Sequence, residues 1–501
     1  MLFANQAVSQ GAGSGAIPLS EAEILRQNPW WSDPVGWEQA DVHLTRLATH
    51  PICLPAEAVD QIPLDRSAIH TLRGPRQVGK STDLKLLVRR ALHEGHAPRS
   101  ICYLSLDVLQ DVALAGVVDA FLSLTRLSGG SGRRLVLLDE VTAVRHWQFA
   151  VKHAWDTGVI HDDIVVCTGS SAADLRAGAA ERLPGRRGEG RDVLVLPRGF
   201  ATFTQVAAAT VPVSPCLSPA QLAGADGRAV LEEMRVFAPR LDDLLRTYAR
   251  FGGLPAAVAE AAGGAFEPSP ATTRIVYDSL LREVSRRGAS EPAAIALLER
   301  VMRSLGSKTN WSRMAREMGV PMGPGRRQQP HSKGDTVRDY IELLAAGYFL
   351  LVVYFWRPDS DSSALANDKK VYFADPLLHT VAHDLAPGLA VDTPALIENL
   401  VALALYRRCE PPARQAEAWA LPDRLHVWRT AGGGEVDFVC GLRPDLAAVE
   451  VKYQTQPDLR KAGGMTRGFP GRPVIVVTRD RLEWRGGYVL IPAALLLWAL
   501  G

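Results

Sequence analysis

A glycine-rich octapeptide in the first third of the chain constrains the fold more than any other feature. Residues 74–81 read GPRQVGKS and fit the phosphate-binding pattern GxxxxGK[ST]. The glycines let the backbone N–H groups face phosphate oxygens, and the helix that follows presents its positive end to the same anion. Lys80 is predicted to reach the β- and γ-phosphates of ATP, and Ser81 to place its hydroxyl on Mg²⁺. The predicted nucleotide-binding residues are Gly74, Pro75, Arg76, Gln77, Val78, Gly79, Lys80, Ser81 and Thr82, with Ser170 added from a later strand.

The segments around this loop predict that it lies in an α/β sheet. The apolar run AIHTL precedes it, and STDLKLLVRRALHEG follows with apolar residues at helical spacing. Further along, RRLVLLDEV is typical of a buried strand that ends in two carboxylates. Asp139 would hold Mg²⁺ through water, and Glu140 would orient or deprotonate the attacking water.

Strand-like runs rich in β-branched residues recur through residues 66–200, with helical or loop stretches between them. This alternation predicts a parallel sheet flanked by helices. The run VVCTGSS ends in hydroxyl side chains, and Ser170 is our candidate for sensing the γ-phosphate. The alternative is that Ser170 or Ser171 only caps the helix that follows.

Composition sets the broad class of the protein. The 501 residues are 47% hydrophobic and 22% charged with a net charge of +2, as in an ordinary globular protein of about three domains. The six cysteines form no CxxC pair, and the N-terminus lacks the features of a secretion signal. The longest apolar run, residues 343–356, is shorter than the roughly 20 residues that a membrane helix needs. We therefore expect a reduced, cytoplasmic protein without a membrane span.

Lysine is rare in this chain. Only nine of the 56 basic residues are lysines, so arginine supplies most of the positive charge. A lysine here is therefore more often than usual required as a compact ammonium group. Lys80 and Lys452 both lie in motifs.

A second group of charged residues lies near the end of the chain. Asp437 is in the strand-like EVDFV, and Glu450 and Lys452 lie two residues apart in LAAVEVKY, hence on one face of a strand. Their spacing suits a hairpin, and the preceding helix offers Glu398. We predict that Glu398, Asp437 and Glu450 coordinate Mg²⁺ or Mn²⁺, and that Lys452 positions the attacking water or lowers its pKa. The alternative is a buried ion network in a nuclease-like fold that does not cut.

The middle of the chain contains WSRMAREMGV and DTVRDYIELLAAGYFLL, which resemble a helix-turn-helix with a widened turn. The second helix offers a core stripe of Val337, Ile341, Leu344 and Ala345. Arg326, Arg327 and Lys333 in the intervening insertion would contact DNA phosphates. The alternative is a packing module with a solvated basic loop.

Several motifs in order along the chain carry a family resemblance: RGPRQVGKST, LLDEV, TGSSAADL, LPGRRGEGRDVLVLPRGFATF and FGGLPAAV. Together they resemble AAA-type (AAA_14) P-loop ATPases with a C-terminal DUF4143 domain. The resemblance implies an α/β protein with an AAA+-like P-loop NTPase core, a helical and winged-helix middle, and a C-terminal restriction-endonuclease-like α/β domain of the PD-(D/E)xK type. Val436 stands where that nuclease pattern has proline. The expected divisions are an N-terminal segment at 1–60, the ATPase core at 61–210, a helical region at 211–300, a winged-helix-like region at 301–370 and the DUF4143 domain at 371–501.

The resemblance also places an arginine at Arg186, where an arginine finger would act on a neighbouring subunit of a homo-oligomer. The alternative is a solvent-exposed loop arginine. Our main hypothesis is an ATP-hydrolysing protein whose ATPase controls a nuclease-like domain that acts on DNA. The competing hypothesis is an ATP-dependent switch whose C-terminal domain is structural or binds a partner without cleaving.

Overall fold

A computed structural model describes residues 20–49, 52, 54–107, 114–129, 132–144, 147–169, 189–286, 288–318, 333–385, 392–429, 434–457 and 459–501. Ser170, Arg186, Arg326 and Arg327 lie outside these ranges. The strands of the described residues are β1 (Ala68–Arg73), β2 (Ile101–Ser105), β3 (Leu135–Asp139), β4 (Ile164–Thr168), β5 (Asp192–Leu194), β6 (Leu350–Arg357), β7 (Ser362–Phe373), β8 (Leu425–Arg429), β9 (Glu435–Cys440), β10 (Ala447–Val451), β11 (Val474–Thr478), β12 (Glu483–Arg485) and β13 (Tyr488–Pro492).

The α-helices of the same residues are α1 (Glu21–Gln27), α2 (Val42–Thr49), α3 (Lys80–His93), α4 (Leu114–Leu127), α5 (Trp147–Asp156), α6 (Phe200–Ala207), α7 (Pro219–Ala223), α8 (Ala225–Glu233), α9 (Ala238–Phe251), α10 (Pro255–Ala262), α11 (Pro270–Arg286), α12 (Glu291–Arg303), α13 (Trp311–Met318), α14 (Lys333–Ala346), α15 (Pro376–Leu385), α16 (Thr393–Cys409), α17 (Pro412–Ala418), α18 (Arg460–Gly468) and α19 (Ala493–Leu500). None of these helices is long and apolar enough to cross a membrane.

The first sheet is parallel, with the order β2-β3-β4-β1-β5. Its strands are short apolar runs, and both of their faces are buried between helices. β4 lies between the strand that leads into the glycine-rich loop and the strand that ends at Asp139. All three strands therefore end at one edge of the sheet, in the order of the predicted AAA+-like P-loop core, and that prediction is confirmed.

The N-terminal segment covers the outer edge of this sheet. Trp30 and Trp31 donate their indole N–H groups to the carbonyl of Ile101, at 2.8 and 2.7 Å. The Asn28 side chain accepts from the Tyr103 N–H and donates to the Tyr103 carbonyl. These bonds pair the edge strand β2, which would otherwise expose free backbone groups.

The middle of the chain is helical and ends in a winged helix, as predicted. α9 packs one apolar face inward, burying Leu241, Leu244, Leu245, Tyr248 and Phe251. The predicted core stripe on α14 is buried at all four positions. α13 and α14 pack together, and the β6–β7 hairpin forms the wing.

The wing also belongs to the C-terminal sheet. That sheet has the order β12-β13-β11-β10-β9-β8-β6-β7, in which β6 meets β8 where Phe355 pairs with Val427. One continuous set of buried side chains runs from α6 through the winged helix to the last helix. β7 spans residues 362–373, so the expected domain division at 370 falls inside a strand. The wing is therefore built into the C-terminal domain.

Candidate functional site

The glycine-rich loop has the backbone that phosphate binding requires. Gly74 and Gly79 have φ of 154° and 108°, and Gln77 is also left-handed with φ of 62°. A Cβ on Gly74 would overlap the carbonyl oxygen of Val195, so only glycine fits against β5. The helix α3 starts at Lys80, directly after the loop.

Lys80 lies across the loop. Its buried ammonium donates to the carbonyls of Gly74 at 3.0 Å and Pro75 at 2.7 Å. Burial lowers the pKa of Lys80 to about 8, against the attraction of Glu140 and Asp139. A phosphate is the kind of ligand that would relieve this desolvated cation, so the loop fits a nucleotide.

The two carboxylates after β3 are held differently. Asp139 is buried and accepts from the Tyr103 hydroxyl at 2.9 Å and from the Thr168 hydroxyl. Glu140 has a left-handed backbone with φ of 54°, and its N–H donates to Asp139 Oδ1 and to Thr168 Oγ1. The bend turns Glu140 toward the loop while Asp139 stays fixed at the end of the sheet.

Tyr103 and Thr168 form the support of Asp139. The predicted Ser170 lies outside the described residues and stays a prediction. Within them, Thr168 at the end of β4 donates to Asp139. Tyr103 carried no sequence signal, because its role depends on the pairing of β2 with β3.

A cavity of about 520 Å³ opens in front of the loop. Arg76, Gln77, Gly79, Lys80, Ser81, Thr82 and Glu140 line its polar side. Leu47, Ile52 and Leu54 from the N-terminal segment and Leu254, Pro255 and Ile275 from the helical region line its apolar side. Val78 instead is fully buried in the core. A polar phosphate end and an apolar wall are what a nucleotide requires.

The turn that leads into the apolar wall of the cavity is held by a residue that is far away in the sequence. Gly252, with φ of 69°, and Gly253 precede Leu254. The Gly253 N–H donates to Asp375 Oδ2 at 2.8 Å, and a Cβ on either glycine would overlap a neighbour. Asp375 also accepts from the Leu377 N–H at 2.9 Å, and burial raises its pKa to about 6. Asp375 lies just after the wing strand β7, so the end of the wing is linked to the turn that carries a wall of the nucleotide cavity.

The predicted C-terminal residues converge, as the sequence suggested. Glu398 comes from α16, Asp437 from β9 and Glu450 from β10. Glu450 accepts from Lys452 Nζ at 2.6 Å and from the Asp437 N–H at 3.2 Å. Asp437 Oδ2 accepts from the Val451 N–H at 2.8 Å.

A lysine that we did not predict occupies the centre of this acidic cluster. Lys370 Nζ lies 2.9 Å from Glu398 Oε1, 2.9 Å from Asp437 Oδ1 and 3.2 Å from Glu435 Oε1. Its side chain is only 1% exposed. Burial lowers the pKa of Lys370, but the carboxylates outweigh burial and leave the pKa above its ordinary value. The ammonium is charged and offsets part of the negative charge of the cluster.

The carboxylate oxygens of the cluster already have hydrogen-bond donors as partners. Five of the six carboxylate oxygens of Glu398, Asp437 and Glu450 already accept a hydrogen bond, since Tyr372 also donates to Glu398 Oε1. In the part of the chain that the structure describes, no group of three or more His, Cys, Asp or Glu side chains is arranged to hold a metal. The rarity of lysine was a sequence signal that could have drawn attention to Lys370. Nothing in the sequence predicted that Lys370 lies among these carboxylates.

Three parts of the chain match models of protein families. Residues 66–203 match the AAA domain family, residues 242–387 match a domain of unknown function, DUF8612, and residues 394–496 match DUF4143. The core is thus an AAA-type P-loop ATPase domain. The chain joins that AAA domain to a C-terminal DUF4143 domain.

Among curated proteins, the chain is 22% identical over 362 residues to the uncharacterized protein MJ1637 of Methanocaldococcus jannaschii, covering 71% of each chain. Among solved structures, it is similar to the Walker-type ATPase of Pyrococcus abyssi, with 16% identity and a TM-score of 0.40, over 66% of this chain and 94% of that one. It is also similar to the ORC2 protein of Aeropyrum pernix, with 13% identity and a TM-score of 0.33, over 68% and 97%.

Proposed function

We propose that this protein binds and hydrolyses ATP at the glycine-rich loop, and that the nucleotide state sets the position of a C-terminal domain that does not cleave nucleic acid. The observation that carries the proposal is Lys370 on the carboxylates of Glu398 and Asp437. The same segment continues to Asp375, which accepts from the Gly253 N–H next to the apolar wall of the nucleotide cavity. On this proposal, the protein is an ATP-dependent switch.

At the nucleotide site, each residue has a role that its surroundings support. Lys80 would exchange its two carbonyl contacts for phosphate oxygens. Ser81 and Asp139 would hold Mg²⁺, which supplies charge neutralisation at the phosphates. Glu140 lines the cavity and would orient the attacking water.

A short, buried segment connects the nucleotide site to the acidic cluster. Lys370 and Asp375 are five residues apart, about 16 Å if the segment is extended. Both are buried, and each is bonded to groups far away in sequence. Closure of Leu254 and Pro255 on a nucleotide would move Gly253, which is bonded to Asp375. We propose that this movement is passed along the segment to Lys370 and the acidic cluster.

The nuclease prediction receives less support from the geometry. Metal-dependent cleavage needs free carboxylate oxygens on the metal, and the described cluster offers its oxygens to Lys370, Tyr372, Lys452 and two backbone N–H groups. Action on DNA and assembly into a homo-oligomer stay predictions.

Two assays test the proposal. Phosphate release from Mg-ATP is measured for the wild type, Lys80→Ala and Glu140→Gln, each with and without duplex DNA, single-stranded DNA and RNA. Hydrolysis that is lost in both variants supports the ATPase, whereas unchanged hydrolysis in Lys80→Ala overturns it.

The second assay looks for cutting of the same nucleic acids with Mg²⁺ or Mn²⁺. No cutting by the wild type is expected. Cutting that disappears in Asp437→Ala, while the variant stays folded, would overturn the switch in favour of a nuclease.

A further inference from the structure

A second cavity lies between the ATPase core and the C-terminal domain. It has a volume of about 340 Å³ and shares no wall residue with the nucleotide cavity. The chain after β5 forms one side, and the ends of α16 and α17 form the other. Three arginines line it: Arg198 from the core side, and Arg407 and Arg408 from the end of α16.

Two of these arginines have a buried Nε without an acceptor among the described residues. Arg198 is only 8% exposed, and its Nε meets no acceptor. The Nε of Arg408 is likewise buried without an acceptor. Within the described ranges, no ion pair involves the guanidinium of Arg198, Arg407 or Arg408. A buried guanidinium is normally paired, so the position of Arg198 needs an explanation.

Other buried arginines of the chain show the usual solution. Arg73 lies 2.9 Å from Asp192, and Arg134 lies 2.7 Å from Asp163. The chain therefore places a carboxylate beside a buried arginine where the arginine serves the fold. Arg198 departs from this rule, and the half-buried Arg407 and Arg408 lie in the same cavity.

The acidic groups nearby do not cancel the positive charge. Glu57 lies on the wall. Burial raises the pKa of Asp83, and the positive charge of Arg198 opposes this rise. Asp83 Oδ2 itself has no hydrogen-bond donor among the described residues. Arg407 similarly acts on Asp375, whose two oxygens are occupied by backbone N–H groups. The wall itself keeps an excess of positive charge.

We propose that this cavity binds a compact anion of the phosphate class with at least two negative charges. A guanidinium is a planar fork that matches phosphate oxygens, and three of them from two domains suit a doubly or triply charged anion. Gln205 adds a neutral side-chain amide to the wall. An anion here would fasten the ATPase core to the C-terminal domain.

The test uses the full chain with Lys80→Ala, which weakens phosphate binding at the glycine-rich loop. Inorganic pyrophosphate is titrated calorimetrically at constant ionic strength, with chloride replacing it in the reference. Saturable binding is expected, and adding Arg408→Met should raise the Kd at least tenfold. Arg240→Met, on an exposed arginine of α9, is the matched control and should leave the Kd unchanged.

Arg407→Gln provides a second variant on the half-buried side of the cavity, so that misfolding of Arg408→Met does not decide the result. A Kd that rises in both arginine variants, or in the folded one, supports the site. Absence of saturable binding overturns it. Binding that is unaltered by the arginine variants also overturns it, because residual binding at the glycine-rich loop would not respond to Arg407 or Arg408.

Discussion

Replacing Lys370 with methionine removes the cation from the acidic cluster while keeping most of the side-chain volume. Glu398 and Asp437, each with a side chain only 12% exposed, would then face each other without the ammonium that bonds to both. Removing one member of a buried ion pair costs about 3–5 kcal/mol. Because the two carboxylates keep some contact with water, we expect a loss near the lower end, about 3 kcal/mol at pH 8.

The loss should be smaller at pH 6. Burial, followed by repulsion from Asp437, raises the pKa of Glu398 to about 7 even with Lys370 present. Without Lys370 the pKa rises further, so Glu398 takes up a proton at pH 6 and the repulsion disappears. Adding Asp437→Asn to Lys370→Met should recover most of the lost stability for the same reason.

Hydrogen exchange of the amides in β9 and β10 measures this local stability. A loss of about 3 kcal/mol corresponds to exchange that is faster by on the order of 100-fold. Lys308→Met is the matched control, since Lys308 lies 4.0 Å from Glu435 but is 48% exposed, and a change below about 0.5 kcal/mol is expected. Equal exchange in the two lysine variants would refute the central role of Lys370.

Three further predictions concern the rest of the molecule. Glu140→Gln should lower ATP hydrolysis about 100-fold or more without weakening ATP binding. Phosphate release measures hydrolysis, and equilibrium titration measures binding. An equal loss of hydrolysis and binding would argue against a role of Glu140 in orienting water. Asp375→Ala should weaken ATP binding several-fold, because the turn that carries the apolar wall loses its acceptor; an unchanged Kd would contradict the proposed link. Burial lowers the pKa of His379 and His426 to about 4, so folding disfavours their protonation. Stability is therefore lost as the pH falls below about 6.5, by about 2 kcal/mol per histidine at pH 5, and urea unfolding of His379→Gln should show a shallower acid loss than the wild type.

The sequence by itself determined the local parts of this protein. The glycine-rich loop, the strand before it and the helix after it are contiguous, and their conformations follow from steric rules that act over a few residues. The same holds for the buried strand that ends at Asp139 and Glu140. The core stripe of α14 was predictable because helical spacing alone fixes which side chains share a face.

The tertiary structure decided which distant groups meet. Lys370 and Asp437 are 67 residues apart, and they come together only because the wing pairs with the C-terminal sheet. Asp375 reaches Gly253 across 122 residues, and Tyr103 reaches Asp139 through the pairing of two strands. A carboxylate can bind a metal ion or an ammonium group, because both are cations. The sequence positions of the carboxylates therefore do not distinguish a metal site from an ion pair. Which cation it meets depends on the packing of a strand from elsewhere in the chain.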